Sequence, residues 1–472
     1  MNEIGAFICN YNGKEFALNC IASLLKQSYS GFDIFIIDNA STDGSADAIR
    51  QQYQDKVKVL ENYENLGGAG GFDRALKEGI QHNYKYIVLL DNDIRLCEDC
   101  IQNMREYMDS HREVGIAGSK VMIMDLPDTI QDYGDYLDFK LFKERNAYSN
   151  EKDRIDIPVV NECDYVPSCA IMVRTEMVKI SGTMPAENFI YYDDIELSYR
   201  MKLKGWKIVA LGSAKVLHKG GFRKAVENTF SRYYFLRNRL HFFSKFIQEE
   251  QIPDFTEIML SEVFSRLYGF HIKGLKEVFD TTQYAFDDFL HHKYGKAEEH
   301  KILKLQPHIT PLERIVLKKK NINVYFMDNF MKEKPNEIFG IFYFIIRNIH
   351  GIAPGAKISM SLNYCTYSME QVMDGLKKEI NTMADPSDIP DFNVVPYADP
   401  SERFDLEFKI CEHVNLVTEN ILPLVYIDRY CNCISSEKEY VYFSAYTENE
   451  QFFKNLYRPM FLQSVKKIRE ES

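Results

Sequence analysis

Apolar and polar residues fall into alternating blocks along the first half of the chain, and the period changes from block to block. Residues 3–9 (EIGAFIC) are an apolar run of strand length, and residues 13–28 then set Phe16, Cys20, Ile21, Leu24 and Leu25 at helical spacing. A second apolar strand follows at 32–38 (FDIFIID). Residues 41–53 (STDGSADAIRQQY) read as a loop and helix, with Ser41 or Asp43 placed to cap it. KVKVLEN supplies a third strand, a glycine-rich loop opens another helix, and residues 86–91 form a fourth strand. The alternation predicts an α/β fold: an open, mostly parallel sheet with helices on both faces. In such sheets ligands bind beyond the carboxyl ends of the strands.

From about residue 225 the pattern changes. NTFSRYYFLRNRLHFFSKFIQ is helical and aromatic, and the chain to about 350 reads as mainly helical. A basic region from Lys293 to Lys320 is either a solvated face or a contact for an anionic lipid headgroup or lipid pyrophosphate. IFGIFYFII, residues 338–346, ends at Arg347 and is too short to cross a membrane; it reads as a buried helix, with an interfacial helix as the alternative. After GIAPGAK the sequence mixes helical stretches with candidate strands, and residues 383–404 read as a long loop. The expected division is 1–225 as a catalytic domain, 226–350 as a helical domain with acceptor, membrane or oligomer contacts, and 351–472 as an α or α+β region.

Composition narrows the classes. At 472 residues the chain has room for two or three domains, and a net charge of −12 argues against a general nucleic-acid binder. The opening MNEIGAFICNYNGKEF has neither the basic start nor the apolar core of a signal peptide, so the expected location is cytoplasmic. Ten cysteines then read as free thiols in a reducing compartment. CEDC (Cys97 to Cys100) lacks a second pair at zinc spacing, and Cys431 and Cys433 carry equally little metal or redox signal.

Four polar clusters fall at strand ends. CNYNG (9–13) follows strand one. IDNASTDGS (37–45) follows strand two, where Asp38 either accepts from a base or ribose or caps the next helix. ENLGGAGGFDRAL (64–76) packs four glycines into five positions, which permits close backbone approach by a phosphate or sugar; it is neither a Walker pattern nor GxGxxG after the first strand. Asp91-Asn92-Asp93 ends a buried apolar run, where two carboxylates repel unless something offsets them. A hard divalent cation, Mn²⁺ or Mg²⁺, sharing diphosphate oxygens, would do so.

Together these segments resemble the inverting glycosyltransferases of family 2, with the GT-A fold, from residue 3 to about 240. FICNYNG is similar to the family's opening strand and turn, IIDNASTDGS to its nucleoside-binding segment and LLDNDI to its DXD metal motif. FIYYDDIELSYRMKLKGWKI (189–208) resembles the segment carrying the catalytic base, and VLHKGG (216–221) the region of a metal-binding histidine. NLGGAGGF is similar to the glycine loop of bacterial galactofuranosyltransferases and some rhamnosyltransferases. The resemblance implies that Asp194 is the base, with Glu196 as runner-up, and that Asp91, Asp93 and His218 hold the metal. It places Asn10, Asn12, Asp38, Asn65, Gly67, Gly68, Gly70, Gly71 and Asn92 around the donor, and Cys169, Tyr192 and Asp193 towards the acceptor.

The implied reaction is a single in-line displacement from a UDP- or dTDP-sugar to a hydroxyl of a lipid-linked or polymeric surface glycan. Galactofuranose is favoured. This sequence opens directly at strand one, where mycobacterial-type galactofuranosyltransferases carry a β-rich domain, and Tyr191 and Tyr192 stand where tryptophan is common. A dTDP-rhamnose donor therefore stays open. The other readings are an inactive scaffold of the same fold and a sugar nucleotidyltransferase, whose basic glycine loop after strand one is not seen. No nucleic acid is expected; peripheral contact with the inner face of the cell membrane and homo-oligomers are.

Overall fold

The computed structural model describes residues 2–219, 228–307, 309–326, 338–362, 392–396, 404–411, 414, 417, 425–429 and 431–471. The chain folds into two compact units: Met1–Ile258 with Asp280–Lys304 and Met460–Ser472, and Met259–Phe279 with Leu305–Pro459.

The first unit is built on a ten-stranded sheet. In chain order its early elements are β1 (Ile4–Asn10), α1 (Lys14–Leu24), β2 (Phe32–Asp38), α2 (Ser45–Tyr53), β3 (Val57–Glu61), α3 (Gly67–Gln81), β4 (Tyr86–Asp91), β5 (Ile94–Leu96) and α4 (Cys100–Ser110). Then come β6 (Val114–Ile123), β7 (Leu126–Asp132), the hairpin β8 (Tyr136–Asp138) and β9 (Lys143–Arg145), β10 (Val160–Cys163), β11 (Ala170–Arg174), α5 (Thr175–Ser181), α6 (Asp193–Leu203) and β12 (Lys207–His218). Helices α7 (Thr229–Phe246), α8 (Ile252–Lys273) and α9 (Lys276–Leu290) follow.

The main sheet runs β10-β12-β6-β11-β4-β1-β2-β3, with β5 beside β12 and β7 beside β6. Strands β3, β2, β1 and β4 are parallel, and β11 enters antiparallel between β4 and β6. The result is a mixed, mostly parallel sheet, the α/β architecture expected from the alternation of the sequence. Side-chain alternation divides β4 between two cores: Ile87 and Leu89 join one cluster, Tyr86, Val88 and Leu90 the other. Each such aliphatic burial contributes roughly 1.5–3 kcal/mol, so the strand ending in Asp91 is fixed on both faces.

Two local expectations shift. Helix α2 is capped by Gly44, in the left-handed region at φ 75°, while Asp43 accepts from the Ser45 amide at 3.0 Å. The glycine-rich segment is the opening of α3 itself rather than a loop before it.

The second unit carries a six-stranded sheet. Strands Phe392–Pro396, Lys357–Leu362, Asn321–Phe326, Leu406–Cys411 and Val425–Asp428 are parallel in that spatial order, and Cys433–Ile434 closes it antiparallel. The helix Ile338–Ile352 buries Ile341, Phe342, Ile345, Ile346 and Ile349 on this sheet's core face, which makes the 338–346 run a core element. Among the described residues no helix is long and apolar enough to cross a membrane. Residues 392–396 are a strand within the stretch read as a loop; most of 383–404 lies outside the described residues.

Candidate functional site

Strand β4 delivers Asp91 at the carboxyl edge of the sheet, and the chain then turns back into β5. Antiparallel pairing of β5 with the end of β12 puts His218 opposite Ile94. That pairing joins two distant segments: His218 Nε2 lies 3.1 Å from Asp93 Oδ1 and 4.0 Å from Asp91 Oδ2. One ligand atom from each of the three residues lies within 4.8 Å of the others. Burial pushes the Asp91 carboxyl up to about 6, with His218 opposing the rise and Asp93 and Asp194 adding to it. Burial disfavours the His218 imidazolium, but the hydrogen bond to Asp93 and the Asp91 charge raise it above its ordinary value.

The donor set, two carboxylates and an imidazole, suits Mn²⁺ or Mg²⁺. Behind His218, Gln131 Nε2 lies 2.9 Å from Nδ1 while, among the described residues, the buried Gln131 Oε1 has no hydrogen-bond partner. Turning that amide over lets Oε1 accept from Nδ1–H and leaves the Nε2 lone pair for a metal. The residues present therefore fit a divalent cation.

Next to Asp91 lies a cavity of about 570 Å³, lined by Tyr11, Asn39, Asn65, Gly67, Gly68 and Asn92 among others. The four glycines divide by what surrounds them. Gly67 has φ 72°, and a Cβ there would stand 2.0 Å from the Phe189 carbonyl oxygen; one on Gly71 would stand 2.3 Å from Cys9 Sγ. A Cβ on Gly70 would meet the Leu66 side chain. A Cβ on Gly68 would meet nothing within 4 Å and would project into open space. The protein needs glycine at the first three positions, whereas Gly68 gives room to something in the cavity. Asn65 Oδ1 accepts from the Gly67 amide at 2.8 Å, and Asn39 Nδ2 donates to the Gly67 carbonyl at 2.9 Å.

The acidic pair sits at the start of α6, after a strained turn. Phe189, Tyr191 and Tyr192 have φ of 66°, 65° and 65°, a region costly for side chains of this size. The buried Asn238 of α7 holds the turn, its Nδ2 donating to the carbonyls of Asn188, Ile190 and Tyr191 at 2.9, 2.8 and 3.0 Å. Arg237 adds a bond to the Asn188 carbonyl. Asp193 is buried, and Asp194 is half-buried. Asp194 accepts from the amides of Ser168 and Ile195 at 3.2 and 2.8 Å, yet burial pushes its carboxyl up to about 6. Burial and the charge of Asp194 push Asp193 well above the usual carboxylate range. Glu196 pairs with Lys245 at 2.9 Å and with Arg200 at 3.8 Å and is almost fully buried.

The remaining expected residues divide between cavity wall and framework. Asn65, Gly67, Gly68, Asp91 and Asn92 line the cavity, and Asp93 and His218 complete the acid–histidine group beside it. Asn10 is buried and donates to Asp38, Ser41 and Ser45, while accepting from Asn92. Asp38 is 1% exposed, with its oxygens accepting from Asn10 and the Ser41 amide. Asn12 accepts from the Thr42 amide. Cys169 is buried and gives its carbonyl to the Asp91 amide. Tyr192 is buried, with its hydroxyl lacking a hydrogen-bond partner among the described residues. Gly220 and Gly221 of VLHKGG lie outside the described residues. Cys97 is exposed and Cys100 buried, both as free thiols that burial pushes up.

Sequence reasoning did not single out Gln131, Asn39, Asn238 or the cavity residues Phe230, Tyr234 and Lys296. Asn39 lay within the IDNASTDGS cluster, Phe230 and Tyr234 within the aromatic stretch from residue 228 and Lys296 within the basic region, while Gln131 had no local signal.

Residues 6–176 match the model described as glycosyl transferase family 2. Galactofuranosyltransferase GlfT2 of Mycobacterium tuberculosis is 24% identical over 196 residues, 38% of this chain and 31% of that protein. UDP-Glc:alpha-D-GlcNAc-diphosphoundecaprenol beta-1,3-glucosyltransferase WfaP of Escherichia coli is 29% identical over 112 residues, 24% of this chain and 43% of that protein. The matched stretches thus span less than half of these relatives. GalNAc-T7, solved with UDP, GalNAc and Mn²⁺, superposes with a TM-score of 0.43 at 14% identity, over 56% of this chain and 51% of that one.

Proposed function

We propose that this chain, which carries a glycosyl transferase family 2 domain at residues 6–176, is an inverting, metal-dependent glycosyltransferase. It moves a sugar, galactofuranose from UDP-galactofuranose, to a hydroxyl of a growing, lipid-linked surface glycan. The observation that carries this is the Asp91–Asp93–His218 group beside a cavity floored by Gly67 and Gly68. The GlfT2 match, which is longer than the family segment, favours the furanose donor.

Asp91, Asp93 and His218 would hold Mn²⁺ or Mg²⁺, which when bound supplies Lewis-acid stabilisation to the departing nucleoside diphosphate. Gly68 lets the donor lie against the backbone at the start of α3, and Asn65 and Asn39 keep that backbone in place. Asp194 accepts the proton of the acceptor hydroxyl as its oxygen attacks the anomeric carbon. Its elevated pKa makes it a competent base near neutrality, and the turn clamped by Asn238 aims it. Inversion follows from one displacement without a covalent enzyme intermediate.

The test is a thermal-shift titration with UDP, dTDP and GDP, each with and without Mn²⁺, on wild type and on Asp91→Ala/Asp93→Ala. A ligand of the native state raises the melting temperature. A Mn²⁺-dependent rise with UDP, lost in the double variant, is expected. A rise with dTDP alone would move the donor to rhamnose, and no rise with any nucleotide would leave a scaffold.

A further inference from the structure

The cavity has a wall that lies outside the family 2 segment. Lys296, Ala297, Glu299 and Ile302 line it together with Phe230 and Tyr234 of α7, and all belong to the first unit. The backbone around Lys296 is anchored on both sides. The Gly295 amide donates to the Glu187 carbonyl at 2.6 Å, and Arg237 donates to the Gly295 carbonyl at 2.9 Å. The Ala297 amide donates to the Tyr234 hydroxyl at 2.8 Å.

The lysines flanking it in this basic run are committed within the protein. Lys301 pairs with Asp288 at 2.8 Å and with Glu298 at 3.0 Å, and Lys293 lies 3.6 Å from Asp288 and 3.7 Å from Glu298. Lys296 is exposed, and among the described residues its ammonium has neither a hydrogen bond nor an ion pair. It is also the one cation among the described residues lining the cavity, against the carboxylates of Asp91 and Glu299.

We infer that Lys296 binds the diphosphate of the nucleotide donor, so that a segment outside the family 2 domain completes the donor site. This rests on reading the cavity as the donor site. A diphosphate entering a cavity whose other fixed charges are carboxylates meets repulsion that one ammonium, held on a fixed backbone, offsets. Since Lys296 has no partner among the described residues, no ion pair is broken on binding, and ordering the side chain is the only local cost. Glu299, on the same wall, disfavours any second anionic group there, so the site selects one diphosphate rather than a polyanion.

The experiment is calorimetric titration of the full chain, at fixed Mn²⁺, with UDP against uridine and dTDP against thymidine. Wild type, Lys296→Ala, Lys296→Arg and the control Lys293→Ala are compared. The expected result is a loss of about 10–100-fold in nucleoside diphosphate affinity for Lys296→Ala, as for a charged hydrogen bond. Uridine and thymidine binding should be unchanged, Lys296→Arg should recover most of the loss, and added salt should weaken wild type more than Lys296→Ala. An unchanged melting temperature of Lys296→Ala keeps the reading free of folding effects. Wild-type affinity for the diphosphate in Lys296→Ala, or an equal loss with the nucleosides, would overturn the inference alone. Failure of wild type to bind any of the diphosphates would overturn the donor-site reading beneath it.

Discussion

Asp194 and Glu196, two residues apart at the start of α6, are held in opposite ways. Glu196 is locked between Lys245 and Arg200, whereas Asp194 accepts from the backbone amides of Ser168 and Ile195 and keeps an elevated carboxyl pKa of about 6. Asp194→Asn should lower kcat by about 10²–10⁴-fold while leaving Mn²⁺–UDP affinity within a few-fold, as read by steady-state kinetics beside calorimetry. Glu196→Gln should instead lower the melting temperature, because Lys245 loses its carboxylate. As the proposed base Asp194 would act only when ionised, so kcat/KM should rise with pH through about 6 and then level off. The linkage to stability has the opposite sign. The folded protein holds this proton more tightly than the unfolded chain, whose aspartates titrate near about 3.9. The stability gained is fully present below that value and is lost as pH climbs through about 6. In metal-free protein, Asp194→Asn should therefore flatten the fall in melting temperature between pH 4 and pH 7. The proximity of Asp91, Asp93 and His218 was legible because Asp91 and Asp93 share the compact LLDNDI motif and His218 sits in VLHKGG. Gln131 was not, since its proximity to His218 arises only when β7 and β12 both flank β6.

At the scale of elements, the glycine run joins sequence to site. Gly67→Ala forces a side chain onto φ 72° and into the Phe189 carbonyl, and should cost stability without any ligand present. Gly68→Ala should leave the unliganded melting temperature within about a degree, since its Cβ meets only open space, yet weaken UDP binding several-fold. Paired melting curves with and without Mn²⁺–UDP separate the two. Block alternation made β1 to β4 and their helices readable, because strands buried on both faces carry unbroken apolar runs. Low helix propensity argued for a loop at Gly67–Gly71, but packing against Cys9 and Leu66 overrides that preference. Strand Asn321–Phe326 was hidden differently: Ile322 and Val324 alternate as a strand requires, but the strand follows Lys318, Lys319 and Lys320 within a stretch read as mainly helical. The strained turn before Asp193 left no local trace either, since its stability lies in Asn238, far along the chain.

For the whole molecule, the division into units does not follow the order of the sequence. Residues 1–258, 280–304 and 460–472 form one unit, and Phe461 is fully buried within it. Its ring lies 5.1 Å from Phe289 and 5.5 Å from Phe255, and Ser464 donates to the Leu290 carbonyl at 2.8 Å. Phe255 in turn packs 5.0 Å from Phe142, at the β8–β9 hairpin. Phe461→Ala should destabilise this unit by about 3–5 kcal/mol. In a differential scanning experiment the transition that responds to Mn²⁺–UDP should shift down, while the second unit's transition stays in place. The shift in character near residue 225 was visible in composition; the return of distant segments to the first unit was not, because a burial pattern records that a face is covered and not by what.

That discontinuity has a consequence for how the protein comes into being. The strands that present Asp91, Asp93 and His218 have all been synthesised once the chain reaches residue 218. The Lys296 wall follows later, and Phe461 is added only after residues 305–459 of the second unit. Until then Phe255 and Phe289 lack the Phe461 ring as a packing partner. A chain stopped just before residue 461 would carry Asp91, Asp93, His218 and Lys296 without the ring that packs against Phe255 and Phe289.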